Sequence, residues 1–219
     1  MAAIAYKEKA PLFRHSLIIL FFGSLITVLG YYQLDQRIDA FFQQPEQETI
    51  YYYSREITNI GYSSHYIIIC LVLLIVSRFF SKYVGYLNRN PRIRLLIEQW
   101  SLFLLRALLA AGILVQMIKP VVGRRRPHVT ENPELLFNHF TTDPHWHSFP
   151  SGHTQVLMTV ATALALIWPK ARWFFSILGL VLAFTRVAIY QHFFSDYIGG
   201  ILAGYLVTLW VYYKWPPRI

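Results

Sequence analysis

The chain has 219 residues, 55% of them hydrophobic and 14% charged, against about 25% charged in an ordinary soluble domain. That balance excludes a disordered chain, which needs low hydrophobicity and high charge, and it leaves a soluble domain too much apolar surface to cover. A spanning helix takes roughly 20 residues, so six spans fit in one compact helical domain over residues 1–219 with no room for a second soluble domain.

Six apolar segments follow in chain order: Ser16–Tyr32, Ser64–Phe80, Leu95–Ile118, His153–Trp168, Trp173–Tyr190 and Tyr197–Tyr213. Lys7, Lys9 and Arg14 precede the first, but Leu29-Gly30-Tyr31-Tyr32 is a poor cleavage site, so it reads as an uncleaved span. Glu98 and Arg106 interrupt the third, and Pro169-Lys170-Ala171-Arg172 turns the fourth into the fifth. The single cysteine, Cys70, permits neither an intrachain disulfide nor a thiolate metal site. The expected fold is all-α: a polytopic membrane protein with six transmembrane helices in one bundle.

Charge sets the orientation. With the N-terminus inside, the inner segments hold twelve cations against Glu8 and Glu98, and the outer ones seven cations against nine acids. The excess of Lys and Arg puts both termini in the cytoplasm. It also accounts for the net charge of +9 without a nucleic-acid partner. Five outer cations remain that topology does not require: Lys119, Arg124, Arg125, Arg126 and Arg186.

Parity then gathers a site. Lys119 follows the third span, His153 opens the fourth, Arg186 and His192 close the fifth, and Asp196 precedes the sixth, so all meet at the outer face. Arginine forks at Arg126 and Arg186 can grip phosphate oxygens in pairs, and Lys119 adds a point charge. Pro150-Ser151-Gly152-His153 opens a helix, with Ser151 as N-cap and Gly152 allowing close approach to free N–H groups. No acidic pair suggests a metal. His192 and Asp196, four apart, share a face if one helix runs through both, which is how a carboxylate orients a basic or nucleophilic imidazole. His153 is available as an acid.

Lys119-x6-Arg126-Pro127, Pro150-Ser151-Gly152-His153 and Arg186-x5-His192-x3-Asp196 resemble, in order, the three motifs of the type-2 phosphatidic acid phosphatase superfamily. The motifs cover residues 119–196, and Thr185 stands where the third usually has Ser. The resemblance implies that His192 attacks phosphorus to form a phosphohistidine and that Asp196 orients it. His153 would protonate the leaving alkoxide and then activate water. Lys119, Arg126, Ser151, Gly152 and Arg186 would hold the phosphoryl oxygens, with no metal and no other cofactor. The expected function is a membrane lipid phosphatase acting at the periplasmic face of the inner membrane.

Candidate substrates are a polyprenyl diphosphate, phosphatidylglycerol phosphate, phosphatidic acid and the phosphorylated disaccharide of lipid A. The run His192-Phe193-Phe194-Ser195-Asp196 leans toward the last. A phosphotransferase using the same site is the nearest alternative, an anion or lipid transporter a remote one, and the superfamily's soluble haloperoxidases are disfavoured by six spans. Arg124 and Arg125 are candidate headgroup contacts. His139, His145 and His147 read as solvated loop residues, His65 and Tyr51-Tyr52-Tyr53 as interfacial, and Gly199, Gly200, Ala203 and Gly204 as a packing face. Arg106 and Glu98, eight residues apart, are too distant to pair and are expected to snorkel or to cap a helix contact.

Overall fold

The computed structural model describes residues 2–129 and 136–217, with side chains from Arg14 onward. Lys7, Glu8, Lys9, Glu131, Glu134 and Arg218, which enter the charge count, lie outside the described side chains. Nine α-helices are described: α1 (Ala2–Gln33), α2 (Asp35–Phe42), α3 (Glu48–Ile57), α4 (Ser63–Phe79), α5 (Gly85–Arg89), α6 (Pro91–Val122), α7 (Gly152–Ile167), α8 (Arg172–Ala188) and α9 (Phe194–Lys214). Among the described residues there is no strand, only an isolated bridge between Arg124 and Phe137.

Six of the helices overlie the six apolar segments. Five stretches are long and apolar enough to cross a membrane: Arg14–Gln33, Pro45–Phe79, Pro91–Val122, Pro169–Ala188 and Phe194–Lys214. The segment from His153 falls short of that length, since α7 has 16 residues, about 24 Å at 1.5 Å per residue against roughly 30 Å of hydrocarbon. Pro169 stops it at one end and the Ser151 cap fixes the other. α7 is instead the central helix. It packs against α6, α8 and α9, and every residue from Thr154 to Ala163 except Val160 is buried, as a helix apolar on all sides must be.

Small residues let its neighbours come close. A Cβ at Gly200 would lie 2.6 Å from the Ser151 carbonyl, and one at Gly204 would lie 2.5 Å from the Gln155 carbonyl. The Gly199–Gly204 face thus sets α9 directly against the start of α7. Hydroxyls in this core donate to their own helices, Thr162 to the Met158 carbonyl and Thr208 to the Gly204 carbonyl, each at 2.6 Å. At the opposite end of the bundle Glu98 does find a partner, on another helix: Arg78 of α4 lies 3.4 Å away. The connection between the first two spans is helical rather than irregular. α2 and α3 lie there, and a 3-10 turn over Thr58–Gly61 leads into α4.

Candidate active site

The last turn of α6 holds Lys119, and Gly123 ends the helix in the left-handed region (φ 57°) with its N–H on the Lys119 carbonyl. No other residue fits, because a Cβ there would lie 1.7 Å from the Asn138 carbonyl oxygen. The chain beyond is stitched on both sides. Arg125 N–H donates to the Leu136 carbonyl, Arg126 N–H to the His145 carbonyl, and Ser148 N–H to the Arg124 carbonyl. Main-chain bonds, not side chains, therefore aim the three arginines.

At the start of α7 the Ser151 hydroxyl accepts the Thr154 N–H as an N-cap. Ser151 itself is fully buried behind the cavity wall, while Gly152 and His153 form that wall. Lys119 reaches over this helix end, with Nζ 3.7 Å from where a Gly152 Cβ would stand. The His153 ring packs on Gly61 and edge-on against Tyr62, with centroids 4.8 Å apart. Its Nε2 is buried and has no hydrogen-bond partner among the described residues.

Arg186 lies in the last turn of α8. The chain then reverses through Tyr190, a non-glycine residue at φ 57°, a conformation that costs about 1 kcal/mol or more. Two contacts hold it: the ring stacks on Tyr51 at 5.4 Å, and the hydroxyl donates to the Phe42 carbonyl. The reversal brings the Gln191 and His192 N–H groups back onto the Arg186 carbonyl at 3.1 and 3.2 Å. Gln191 offers its side-chain oxygen to both Arg126 and Arg186 at 3.4 Å.

His192 and Asp196 do meet, but not on one helical face, because α9 begins at Phe194 and His192 precedes it. Asp196 Oδ2 accepts the Phe193 N–H at 2.9 Å and the Ser148 hydroxyl at 2.5 Å. His192 Nδ1 lies 3.5 Å from Ser148 Oγ and 3.7 Å from Asp196 Oδ2. Both Nδ1 neighbours are oxygens, and the Ser148 proton is already given to Asp196. The ring proton therefore belongs on Nδ1, which leaves the Nε2 lone pair for the cavity. Burial pushes the His192 pKa down to about 3 against the opposing pull of Asp196, so the imidazole is neutral at physiological pH.

A cavity of about 650 Å³ collects these groups. Lys119, Arg126, Gly152, His153, Arg186 and His192 line it, and among the described residues no carboxylate does. Its other wall is apolar. Leu109, Ile113 and Met117 form an i, i+4, i+8 stripe along α6, opposite Ile67 of α4. The three stripe residues are exposed on the bundle surface.

Two sequence expectations need correction. Arg124 is not free to contact a headgroup. It is buried, and its guanidinium donates to Asp196 Oδ1 at 2.6 Å, to Asp35 Oδ2 at 2.6 Å and to Ser195 Oγ at 2.5 Å. Its pKa is raised: burial opposes the charge, but Asp196 and Asp35 outweigh it. Arg125 is buried too, 6.0 Å over the Trp146 ring. The bonds on either side of Arg124 and Arg125 turn both side chains inward. Of the loop histidines, His139 and His147 place a ring nitrogen on the Val121 and Thr141 carbonyls, at 3.2 and 2.9 Å. Among the described residues no three His, Cys, Asp or Glu side chains cluster as a metal site.

Asp35, Ser148, Gln191, Ser195 and Tyr62 escaped the sequence reading. Asp35 and Tyr62 lie far upstream of the motifs, and the other three lie in or beside them without a recognisable charge pattern.

Comparison with known proteins bears on the whole arrangement. The sequence profile of the PAP2 superfamily matches residues 100–219. The chain belongs to the PAP2 superfamily. It is 29% identical over 149 residues to a lipid A 1-phosphatase of Rhizobium etli, covering 66% of this chain and 63% of that protein. An undecaprenyl-diphosphatase of Sulfolobus acidocaldarius is 33% identical over 102 residues, 46% of each chain. The chain thus spans less than two thirds of the length of these relatives. A PAP2 type phosphatidylglycerolphosphate phosphatase from Bacillus subtilis has a similar structure, with a TM-score of 0.55 over 89% of this chain and 90% of that one at 22% identity. This PAP2 member is a multi-pass membrane protein whose cavity residues fall in or beside the matched region, Gly61, Tyr62, Ser63 and Ile67 excepted; Asp35 lies outside it as well.

Proposed function

We propose that this PAP2 protein hydrolyses a phosphate monoester or diphosphate on a lipid, through a phosphohistidine on His192, without a metal. One observation supports this most. A single cavity joins three cations, with no carboxylate lining it among the described residues, to an apolar stripe on α6. Unpaired buried cations are costly, and an anionic phosphoryl group supplies what they lack, while the stripe suits the lipid's hydrocarbon.

His192 Nε2 donates its lone pair to phosphorus as the bond to the lipid oxygen breaks, and His153 protonates that oxygen. His153 then takes a proton from water, whose oxygen attacks phosphorus and returns His192 to its neutral form. Asp196 holds the imidazole and balances its charge while it is phosphorylated. Lys119, Arg126, Arg186 and the N–H groups at Gly152, with Ser151 as their cap, hold the phosphoryl oxygens where charge spreads in the transition state. α7, short as it is, counts as the fourth of six spans, and the site opens on the periplasmic face of the inner membrane, with both termini in the cytoplasm. The phosphorylated disaccharide of lipid A heads the candidate substrates, because a lipid A 1-phosphatase is among the relatives.

The test is phosphate release from purified lipid phosphates by detergent-solubilised protein. The panel takes lipid A, undecaprenyl diphosphate, phosphatidylglycerol phosphate and phosphatidic acid. Absence of release from every member, with an intact fold, would remove the lipid phosphatase reading. Phosphate appearing on an added lipid acceptor rather than in water would convert it to a transferase. A cysteine at Thr142 in a Cys70→Ser background should react with an impermeant thiol reagent in intact spheroplasts; reaction only after lysis would invert the topology.

A further inference from the structure

We propose that Asp35, on the short helix α2, is a positioning residue that keeps the Asp196 carboxylate net negative behind His192 by taking up part of the Arg124 charge. The inference rests on the reading of His192 as nucleophile. It concerns a residue outside the matched region 100–219.

The geometry is a two-ended clamp. Arg124 Nη1 bonds Asp196 Oδ1 and Nη2 bonds Asp35 Oδ2, both at 2.6 Å. The guanidinium is held between the Tyr31 and Phe193 rings, 5.1 and 4.3 Å from their centroids. Asp35 also grips the start of α9: its Oδ1 accepts the Ser195 N–H at 2.8 Å and its Oδ2 the Ser195 hydroxyl at 2.6 Å. Both carboxylate oxygens of Asp35 thus bond the Asp196 turn or the cation that holds it, and Asp35, Asp196 and Ser195 are all at most 2% exposed.

The charge count gives the clamp a role beyond shape. Arg124 with Asp196 alone would be neutral. Asp35 makes the buried group one cation against two carboxylates, a net charge of −1. When His192 Nε2 bonds phosphorus and the lipid oxygen leaves with its electron pair, the ring keeps its Nδ1 proton and becomes cationic. A net negative cluster behind Nδ1 stabilises that cation; a neutral one does so far less, because buried charges interact through a low dielectric. Arg124 fixes Asp196 through Oδ1 and leaves Oδ2 for Ser148 and His192, so one contact sets direction and the other sets charge.

The experiment compares the solubilised full chain with Asp35→Asn, Arg124→Gln and the double variant Asp35→Asn/Arg124→Gln. It reads kcat and KM on the best lipid of the panel, the Kd of orthovanadate as a five-coordinate phosphorus mimic, and Tm. Asp35→Asn should lose at least about tenfold in kcat, the scale on which partners behind a functional histidine act. KM should hold within about twofold, since the change lies behind the nucleophile and is felt in the transition state. Vanadate should weaken alongside kcat.

The double variant restores the count of −1 and should recover part of both losses relative to Asp35→Asn. A purely structural ion pair would move Tm without this recovery. Wild-type kcat and vanadate affinity in Asp35→Asn, at any Tm, would overturn the proposal, and so would a double variant no better than the single. If Asp35→Asn does not fold, Asp35→Glu and the double variant decide. Each should keep vanadate affinity within about tenfold of wild type, and a loss as complete as that of His192→Ala would end the charge argument. Wild-type protein that binds vanadate in an Asp35-dependent way but releases phosphate from no lipid would sink the lipid reading and leave the clamp standing; failure to do either would sink both.

Discussion

Arg124 and Arg126 stand two residues apart on the same stitched stretch, yet their surroundings are opposite. Behind His192, Arg124 is locked between two carboxylates. In front of it, among the described residues, Arg126 finds neutral oxygens, the Pro144 and Gln191 carbonyls and the Gln191 side chain, at 3.2 to 3.4 Å. Burial lowers its pKa, with Asp196 opposing. Arg186 repeats the pattern, with Gln191 as a 3.4 Å acceptor and Nε unpartnered among the described residues. Buried charge is ordinarily paired. The rear cation is satisfied by the protein and serves architecture; the front cations are left for a ligand. Pairing, not residue type, separates the two regions.

The largest effect should come at the boundary between them. His192→Ala removes the only imidazole touching both the rear network and the cavity. Turnover should fall by at least about 10⁴-fold, as when a nucleophile is deleted from a coupled unit, with Tm close to wild type and no acid-labile phosphoryl adduct. Near-normal turnover in a folded sample would mean that another group attacks.

Within the front region, Arg186→Lys keeps the charge and loses the fork. We expect kcat to drop by at least about tenfold with a smaller change in KM, since a bidentate site does not accept lysine as an equivalent. An unchanged kcat with raised KM would reduce Arg186 to a docking contact. The same front cations stand where many phosphoryl-transfer enzymes place magnesium, so activity should survive EDTA. Loss in chelator restored by a divalent ion would break the front–rear contrast altogether.

pH sharpens it. The His192 pKa is lowered from 6.5 to about 3, chiefly by burial, so Nε2 stays free of its proton in the folded protein well below pH 6.5. Corrected for substrate ionisation, kcat/KM should show no acid limb from His192 near 6.5. Stability carries the opposite sign. Between those two values the unfolded chain binds the proton and the folded one does not. The His192 contribution is therefore complete above 6.5 and is lost as pH falls toward 3. Comparing the slope of Tm against pH in wild type and His192→Ala measures it.

What the sequence could convey follows the same division. Six apolar segments, their parity and the spacing of Lys119, Arg126, His153, Arg186, His192 and Asp196 put all six at one end of the bundle; the first five line the cavity and Asp196 stands behind His192. The rest of the rear was invisible for physical reasons. Asp35 reaches Ser195 across 160 positions, and nothing in its neighbourhood marks it as buried. Arg124 sits in a run of three arginines whose inward or outward aim is decided by main-chain bonds to residues 136–148. The shortness of α7 stood in the sequence, where the apolar segment from His153 to Trp168 is already brief, but its central place did not, because a central helix and a spanning helix are equally apolar. Its close fit to α9 showed only as a run of small residues, and Gly204→Ala, which would press a methyl against the Gln155 carbonyl at 2.5 Å, should cost about 1–3 kcal/mol in stability.

The smallest expected effect comes from the ion pair that most resembles the Arg124 clamp on paper. Arg78 and Glu98 also join two helices, at 3.4 Å. But the Arg78 side chain is 67% exposed, whereas that of Arg124 is 6% exposed. An exposed pair gives back in desolvation, side-chain entropy and screening most of what it gains, so Arg78→Gln should shift stability by no more than about 1 kcal/mol. Arg124→Gln strands two buried carboxylates and should cost about 3–5 kcal/mol. The pair of measurements sets an exposed ion pair against a buried one with the same neutral replacement, Arg124 bonding two carboxylates where Arg78 bonds one. If Arg78→Gln proved as damaging as Arg124→Gln, burial would not be what distinguishes them. The argument that unpaired front cations await a ligand while the rear cation is structural would then lose its physical basis.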